Sequence, residues 1–226
     1  MKIKKYSRSK IELFVECPHC FYLDQVKNIK RPPSWPYSLN TAVDTLLKKE
    51  MDGYRAIQQS HSIQASLGLV PCNHPKMDDW REPLHKGVEY HHPHHNCIYR
   101  GGIDDLWVDP KSNIHYVVDY KSTAKNEKVV ELPVWADAYR RQMEVYQWLL
   151  RNNGLNVSDT AYFLYCTGDV NATNFGGKLS FHLELIPYKG DDSWVSGTLE
   201  EIQACLRLSL PPVSSSTCEW CKYRNA

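Results

Sequence analysis

Apolar side chains recur along this chain with two different periods, and the changes of period divide it into elements. Leu39, Val43, Leu46 and Leu47 fall three to four residues apart, which predicts a helix from about Ser38 to Arg55. From Gly87 the period shortens to two. Val88-Glu89-Tyr90-His91, Cys97 to Val108 and Ile114 to Ser122 read as strands, the last two joined by a turn at Asp109-Pro110-Lys111-Ser112-Asn113. Helical spacing returns in Trp135, Tyr139, Met143, Tyr146, Leu149 and Leu150, and Asn152-Asn153-Gly154 supplies the stop. Strands then fit Thr160 to Cys166 and Lys178 to Pro187, and a last helix fits Asp192 to Leu208. Gln58 to Pro83 carries little periodicity. The order helix, three strands, helix, two strands, helix predicts an α/β chain of the mixed α+β kind, with a central mixed sheet flanked by helices.

The chain has 226 residues, 42% apolar and 23% charged, enough to bury a core without disulfide staples. One domain spanning 1–226 is expected, with its core at about 38–187 and the segments 1–37 and 188–226 at its two ends. No apolar run reaches membrane-spanning length, and Met1 to Phe14 holds basic residues without an apolar signal core, so a cytoplasmic protein with no membrane partner is expected. The formal net charge of +1 does not exclude nucleic acid, since such partners need local positive potential rather than a basic total. The local basic groups are Lys2, Lys4, Lys5, Arg8 and Lys10, then Lys30-Arg31, then Arg140-Arg141; each taken singly reads as a solvated face.

Two carboxylates change this picture. Facing positions in an antiparallel hairpin sum to a constant, and a turn centred on Lys111 and Ser112 pairs Asp104 with Asp119. Their Cβ atoms should then lie roughly 4.5 to 5.5 Å apart, where two like charges repel unless a cation sits between them. Strand alternation puts Lys121 on the face of Asp119, and Tyr116, Val118 and Tyr120 on the other. Oxygen ligands suit Mg²⁺ or Mn²⁺, beside which an ammonium can orient or deprotonate a water. An Asp-x-Lys tripeptide alone reads as a solvated hairpin face; the facing Asp104 favours the site. Gly101-Gly102 fits a strand that something approaches closely. Gln142 lies beside the apolar stripe of its helix, so it points at the sheet, either to bond a strand carbonyl or to serve the site.

The eight cysteines are distributed unevenly. Cys72, Cys97, Cys166 and Cys205 stand alone and read as buried small residues. Cys17-Pro18-His19-Cys20 and Cys218-Glu219-Trp220-Cys221 form two Cys-x-x-Cys pairs, a metal signal, placed so that a tetrahedral site would clasp the chain ends together. His91-His92-Pro93-His94-His95 reads as an exposed turn, because alternation scatters its rings over both faces. Trp35, Trp135, Trp194 and Trp220 read equally as core or as stacking platforms for unpaired bases.

Gly101-Gly102-Ile103-Asp104, Val117-Val118-Asp119-Tyr120-Lys121 and Gln142-Met143-Glu144-Val145-Tyr146 together resemble the Gly-x-x-Asp, (Asp/Glu)-x-Lys and Gln-x-x-x-Tyr motifs of RecB-like PD-(D/E)XK nucleases. Ser9, Phe14, Cys17 and Pro18, followed by Phe21-Tyr22, look like the opening of CRISPR-associated RecB-like exonucleases and AddB-type nuclease domains. The resemblance covers most of the chain outside about 52–86. It implies a restriction-endonuclease-like core with Asp104, Asp119 and the carbonyl of Tyr120 as metal ligands, Lys121 acting on the water, and Gln142 and Tyr146 supporting the site or holding the strand. Where the family has a histidine ligand, this chain offers Asp44. The resemblance also implies a [4Fe-4S] cluster at the four cysteines; their two-and-two distribution departs from the usual one-and-three and keeps Zn²⁺ as the alternative. The expected function is a Mg²⁺- or Mn²⁺-dependent exonuclease on single-stranded or terminal DNA in repair, recombination or CRISPR defence, with protein partners from such a complex. The alternatives are a non-catalytic nucleic-acid-binding module on the same scaffold, or a metalloprotein whose one real site is the clasp.

Overall fold

The computed structural model describes residues 3–33, 38–127 and 129–225. A short strand β1 (Lys4–Ser7) runs directly into helix α1 (Arg8–Glu16), and α2 (Pro18–Gln25) follows after one residue. Cys17 makes that break. It precedes a proline, which drives it into the extended region at φ −162° and ψ 103°, and Pro18 then opens the next helix without wasting an N–H. Tyr6, Ile11, Phe14, Phe21 and Tyr22 are buried, so this opening segment belongs to the hydrophobic core.

Helix α3 (Ser38–Ile57) matches the predicted amphipathic stretch and runs two residues further. The weakly patterned region beyond it holds a single 3₁₀ turn at Ala65–Leu67, a two-residue strand β2 (Val70–Pro71) and a four-residue helix α4 (Met77–Trp80). Elements this short leave almost no periodic signal.

Cys97 to Val108 is not one strand. It divides into β4 (Cys97–Gly101), paired with β3 (Val88–His92) and β1, and β5 (Asp105–Val108), paired with β2 and β6 (His115–Lys125). The single expected sheet is therefore two, a three-stranded β1-β4-β3 and a five-stranded β2-β5-β6-β7-β8 completed by β7 (Thr160–Asp169) and β8 (Phe181–Lys189). The glycines explain the break. A Cβ on Gly101 would come within 2.7 Å of the Tyr146 ring and one on Gly102 within 2.7 Å of Pro83, while the Ile103 amide leaves the ladder to donate to the Trp80 carbonyl at 3.1 Å.

The hairpin register agrees with the expected one, pairing Asp105 with Val118 and Val108 with His115. Its turn is held by Asp109, which accepts from the Lys111 amide and the Ser112 hydroxyl, and by Asn113 at φ 56°. β6 and β7 are parallel, joined by a crossover through α5 (Asp137–Asn152), which ends at Asn153 and a left-handed Gly154. Alternation along β6 and β7 feeds two apolar layers: Val117, Phe163 and Tyr165 pack with α1, α5 and α6 (Ser193–Leu206), whereas Val118, Tyr120, Leu164 and Cys166 pack under Leu47 and Met51 of α3. A last helix α7 (Glu219–Asn225) returns to the end of α1. The mixed sheet flanked by helices is the restriction-endonuclease-like arrangement expected from the motifs.

Candidate active site

Neighbouring residues at the start of β5 point opposite ways and do different work. Asp105 faces α3, fully buried, and its carboxylate accepts from Arg55 Nη2, the Tyr120 hydroxyl at 2.7 Å, the Trp107 indole at 3.3 Å and the Leu106 amide. Every lone pair has a donor, so Asp105 locks β5, β6 and α3 together. Asp104 lies one step beyond the ladder, at the position the register sets opposite Asp119. One of its oxygens accepts from the Tyr120 amide at 2.9 Å and the other meets Lys48 Nζ at 3.3 Å.

Asp119 is wholly buried on β6. Its Oδ2 forms an ion pair with Lys121 Nζ, and its Oδ1 accepts from Gln142 Nε2 at 2.8 Å. Gln142 reaches across from α5 and also donates to the Tyr146 hydroxyl at 3.1 Å, while its Oε1 accepts from Lys121 at 3.4 Å. A glutamine uniquely fits here, offering donors to the acid and an acceptor to the lysine from one planar group. The Lys121 ammonium also lies 4.4 Å from the centroid of the Tyr139 ring.

Burial pushes the Asp119 carboxyl up to about 6; Lys121 opposes the rise and the nearby Asp104 charge adds to it. Asp44 on α3 is also raised, first by burial and then by Asp104, against the pull of Lys48. Arg8, at the start of α1, contributes positive potential that lowers both Asp119 and Tyr146. Asp44, Asp104, Tyr120 and Lys121, with Asn40 and Tyr139, line an open cleft of about 450 Å³, and Asp119 lies buried behind Lys121. The residues singled out in the sequence, Asp44, Asp104, Asp119, Tyr120, Lys121, Gln142 and Tyr146, thus lie in or beside one cleft.

Sequence reasoning missed Lys48. Its Nζ is 2.9 Å from Asp44 and 3.3 Å from Asp104, so it bridges the two carboxylates nearest α3. The signal was Asp44-x-x-x-Lys48, an i,i+4 pair on one helix face. Five of the other basic groups noted in the sequence are neutralised locally, Lys5 by Glu89, Lys10 by Asp24, Arg31 by Glu16, Arg140 by Asp137 and Arg141 by Glu12.

The four paired cysteines converge. Cys20 Sγ lies 3.5 Å from Cys221 and 3.6 Å from Cys218, Cys17 lies 3.8 Å from Cys221, and the four sulfurs are all within 4.8 Å of one another. All four are buried. Burial raises the Cys218 thiol, but hydrogen bonds from the Cys221 amide and the neighbouring thiols outweigh it and bring Cys218 down to about 7, within reach of the thiolate a metal needs. Arg31, whose guanidinium donates to Cys218 Sγ at 3.5 Å, supplies compensating charge. The four solitary cysteines are buried, as expected.

The histidine cluster departs from the expected scatter: His92 and His95 stack with centroids 3.6 Å apart, within 4.8 Å of a Glu200 oxygen. His95 already uses both ring nitrogens, toward Tyr99 at 3.0 Å and Glu200 at 2.9 Å, which fixes the hairpin to α6. Of the tryptophans, Trp194 donates to Glu144 at 2.7 Å, Trp135 and Trp220 are exposed, and Trp35 lies outside the described residues.

A family model described as the PD-(D/E)XK nuclease superfamily matches residues 78–226. That span takes in Asp104, Asp119, Lys121, Gln142, Tyr146 and the second cysteine pair. No curated protein matches the chain.

Proposed function

Because the chain belongs to the PD-(D/E)XK nuclease superfamily, we propose that it hydrolyses the phosphodiester bonds of DNA with a divalent cation held in the cleft between α3 and β6. The observation that carries this reading is the joining of Asp119 and Lys121 on β6 with Asp104 just ahead of β5, with Gln142 bonded to both Asp119 and Lys121. The donors available, the carboxylates of Asp44, Asp104 and Asp119 and the carbonyl of Tyr120, are all oxygen and suit Mg²⁺ or Mn²⁺. The Asp104 charge raises the proton affinity of both Asp119 and Asp44, and carboxylates crowded in this way fit a cation as they fit a proton. Such a cation supplies stabilisation of the charge developing on the phosphate and acidifies water. Lys121 would orient the attacking water by donating to it; to take the water's proton it would first have to lose its own, which its ion pair with Asp119 opposes. Gln142 keeps Asp119 and Lys121 in register, and Tyr146 fixes Gln142. An unpaired strand or a DNA end, digested exonucleolytically, is the substrate in this reading.

Incubating the purified protein with end-labelled DNA and Mn²⁺ tests it: Asp119→Asn and Lys121→Ala should abolish cleavage, and retention of full activity by either removes the assignment. One observation favours the non-catalytic alternative, namely that Lys48 already lies between Asp44 and Asp104 as a built-in cation. A Mn²⁺ titration separates the two, since a scaffold protein has no site that is lost in Asp104→Ala.

For the clasp we favour a single Zn²⁺ over a [4Fe-4S] cluster. With Zn–S bonds of about 2.3 Å, sulfurs at the corners of a tetrahedron lie about 3.8 Å apart. The closest sulfurs here are separated by 3.5 to 3.8 Å. A cubane caps four separate irons and spreads its thiolates wider. Metal analysis should give zinc and no violet-edge absorption band; a band that bleaches on reduction overturns this choice.

A further inference from the structure

After β6 the chain leaves the sheet at Lys125 and passes along the rim of the catalytic cleft to the start of α5. Two features of that rim do nothing for the fold. Trp135, the largest side chain the rim carries, is 68% exposed, set against Tyr139 with centroids 6.1 Å apart and planes 68° from parallel. Lys125, exposed and without an ion pair among the described residues, holds its Nζ 6.0 Å from the Trp135 centroid. Between them lies a recess of about 90 Å³, and it shares Lys121, Ser122 and Tyr139 with the wall of the catalytic cleft. Cleft and recess are therefore one continuous surface.

We propose that Trp135 is a stacking platform for an unpaired base flanking the scissile phosphate, with Lys125 meeting the adjoining backbone phosphate, so that this rim gives the enzyme its preference for single strands. The proposal rests on the nuclease reading of the adjoining cleft. An aromatic face accepts any base, because every base presents a π-surface, and it accepts an unpaired one because the bases of a duplex already cover each other. A lysine beside the ring answers the phosphate that every nucleotide brings. The alternative, that Trp135 is a piece of core, fails on its exposure. Val130 and Val134 on the same segment are also exposed, at 75% and 92%, so a protein is the competing occupant, and Lys125 beside the ring, a residue type depleted at interface cores, favours the nucleic acid.

The experiment uses the full chain with Asp119→Asn, so that binding is read without cleavage, and fluorescence anisotropy of a labelled oligothymidylate and of a blunt hairpin duplex. Trp135→Ala should weaken oligothymidylate binding roughly 5- to 100-fold and leave the duplex unchanged, with Trp135→Phe restoring most of the loss. Oligothymidylates with one abasic site moved along the strand should show a single position at which the protein with tryptophan loses that same factor and Trp135→Ala loses nothing more. Undiminished single-strand binding by Trp135→Ala, equal losses on both substrates, or no abasic position coupled to residue 135 each overturns the platform. Because these arms read binding alone, failure of the nuclease assignment would show separately, as intact protein that leaves DNA uncut.

Discussion

Asp119 is the residue whose chemistry is most altered by its surroundings. Its pKa of about 6 lies above the value near 3.9 expected in the unfolded chain, so between those two pH values the folded state holds the proton and the unfolded state does not. Stability contributed by this group is thus present at low pH and lost as pH rises through about 6, which makes ionised Asp119 a cost of about 3 kcal/mol at neutral pH in the absence of a cation. Asp119→Asn should then raise the urea midpoint at pH 7 without added Mn²⁺ and change it little near pH 4. The same proton competes with the cation: Mn²⁺ affinity should be flat above about pH 6.5 and weaken roughly tenfold per unit below 6, as read by titration. A pH-independent affinity would detach Asp119 from the cation site.

Lys48 offers a second test at this scale. Its ammonium holds Asp44 and Asp104 in the place of part of a cation's charge, so Lys48→Met should tighten Mn²⁺ binding several-fold by removing the competitor. If affinity is unchanged, Asp44 and Asp104 are not ligands and the alternative scaffold reading gains.

At the scale of elements, the sequence conveyed helix α3, the β5–β6 hairpin and helix α5 well, because each is long enough to repeat its period and is bounded by turn or stop residues. The hairpin carried most. Its turn residues fixed a register that puts Asp104 opposite Asp119, and alternation then separated Lys121 from Tyr120. What could not be read was the bend between β4 and β5, since a pair of glycines signals close approach without saying what approaches. The answer is Tyr146 against Gly101. That contact yields a prediction: in Gly101→Ala the new methyl would press on the ring that holds Gln142, costing about 1–3 kcal/mol of stability and lowering kcat more than it raises KM. Urea unfolding with steady-state kinetics checks it, and normal values for both would mean that the ring has room to yield. The stretch 58–83 was illegible for another reason, as two- and four-residue elements are fixed by tertiary contacts such as Arg55 to the Cys72 carbonyl rather than by pattern.

For the whole molecule the question is how much of the fold depends on the clasp. Its two halves are held differently. Cys17 and Cys20 stand at the start of α2, among Phe14, Phe21 and Tyr22, which are 7%, 0% and 1% exposed and pack in the main core with or without a metal. Burial of such aromatic side chains is worth about 1.5–3 kcal/mol each. Cys218 directly precedes the short helix α7 and Cys221 lies on it, and the helix leaves Trp220 41% and Tyr223 83% exposed, so it has little beyond these two sulfurs to hold it. Stripping the metal, or Cys218→Ser, should therefore release α7 and open the irregular segment 208–217 to protease, while the helices and strands from β1 to α6 remain resistant. Limited proteolysis with a chelator, followed by mass measurement of the fragments, reads this directly. If the chelated chain is instead digested throughout, the metal holds α1 and α2 in the core as well, and through Arg8 the clasp would reach the catalytic cleft.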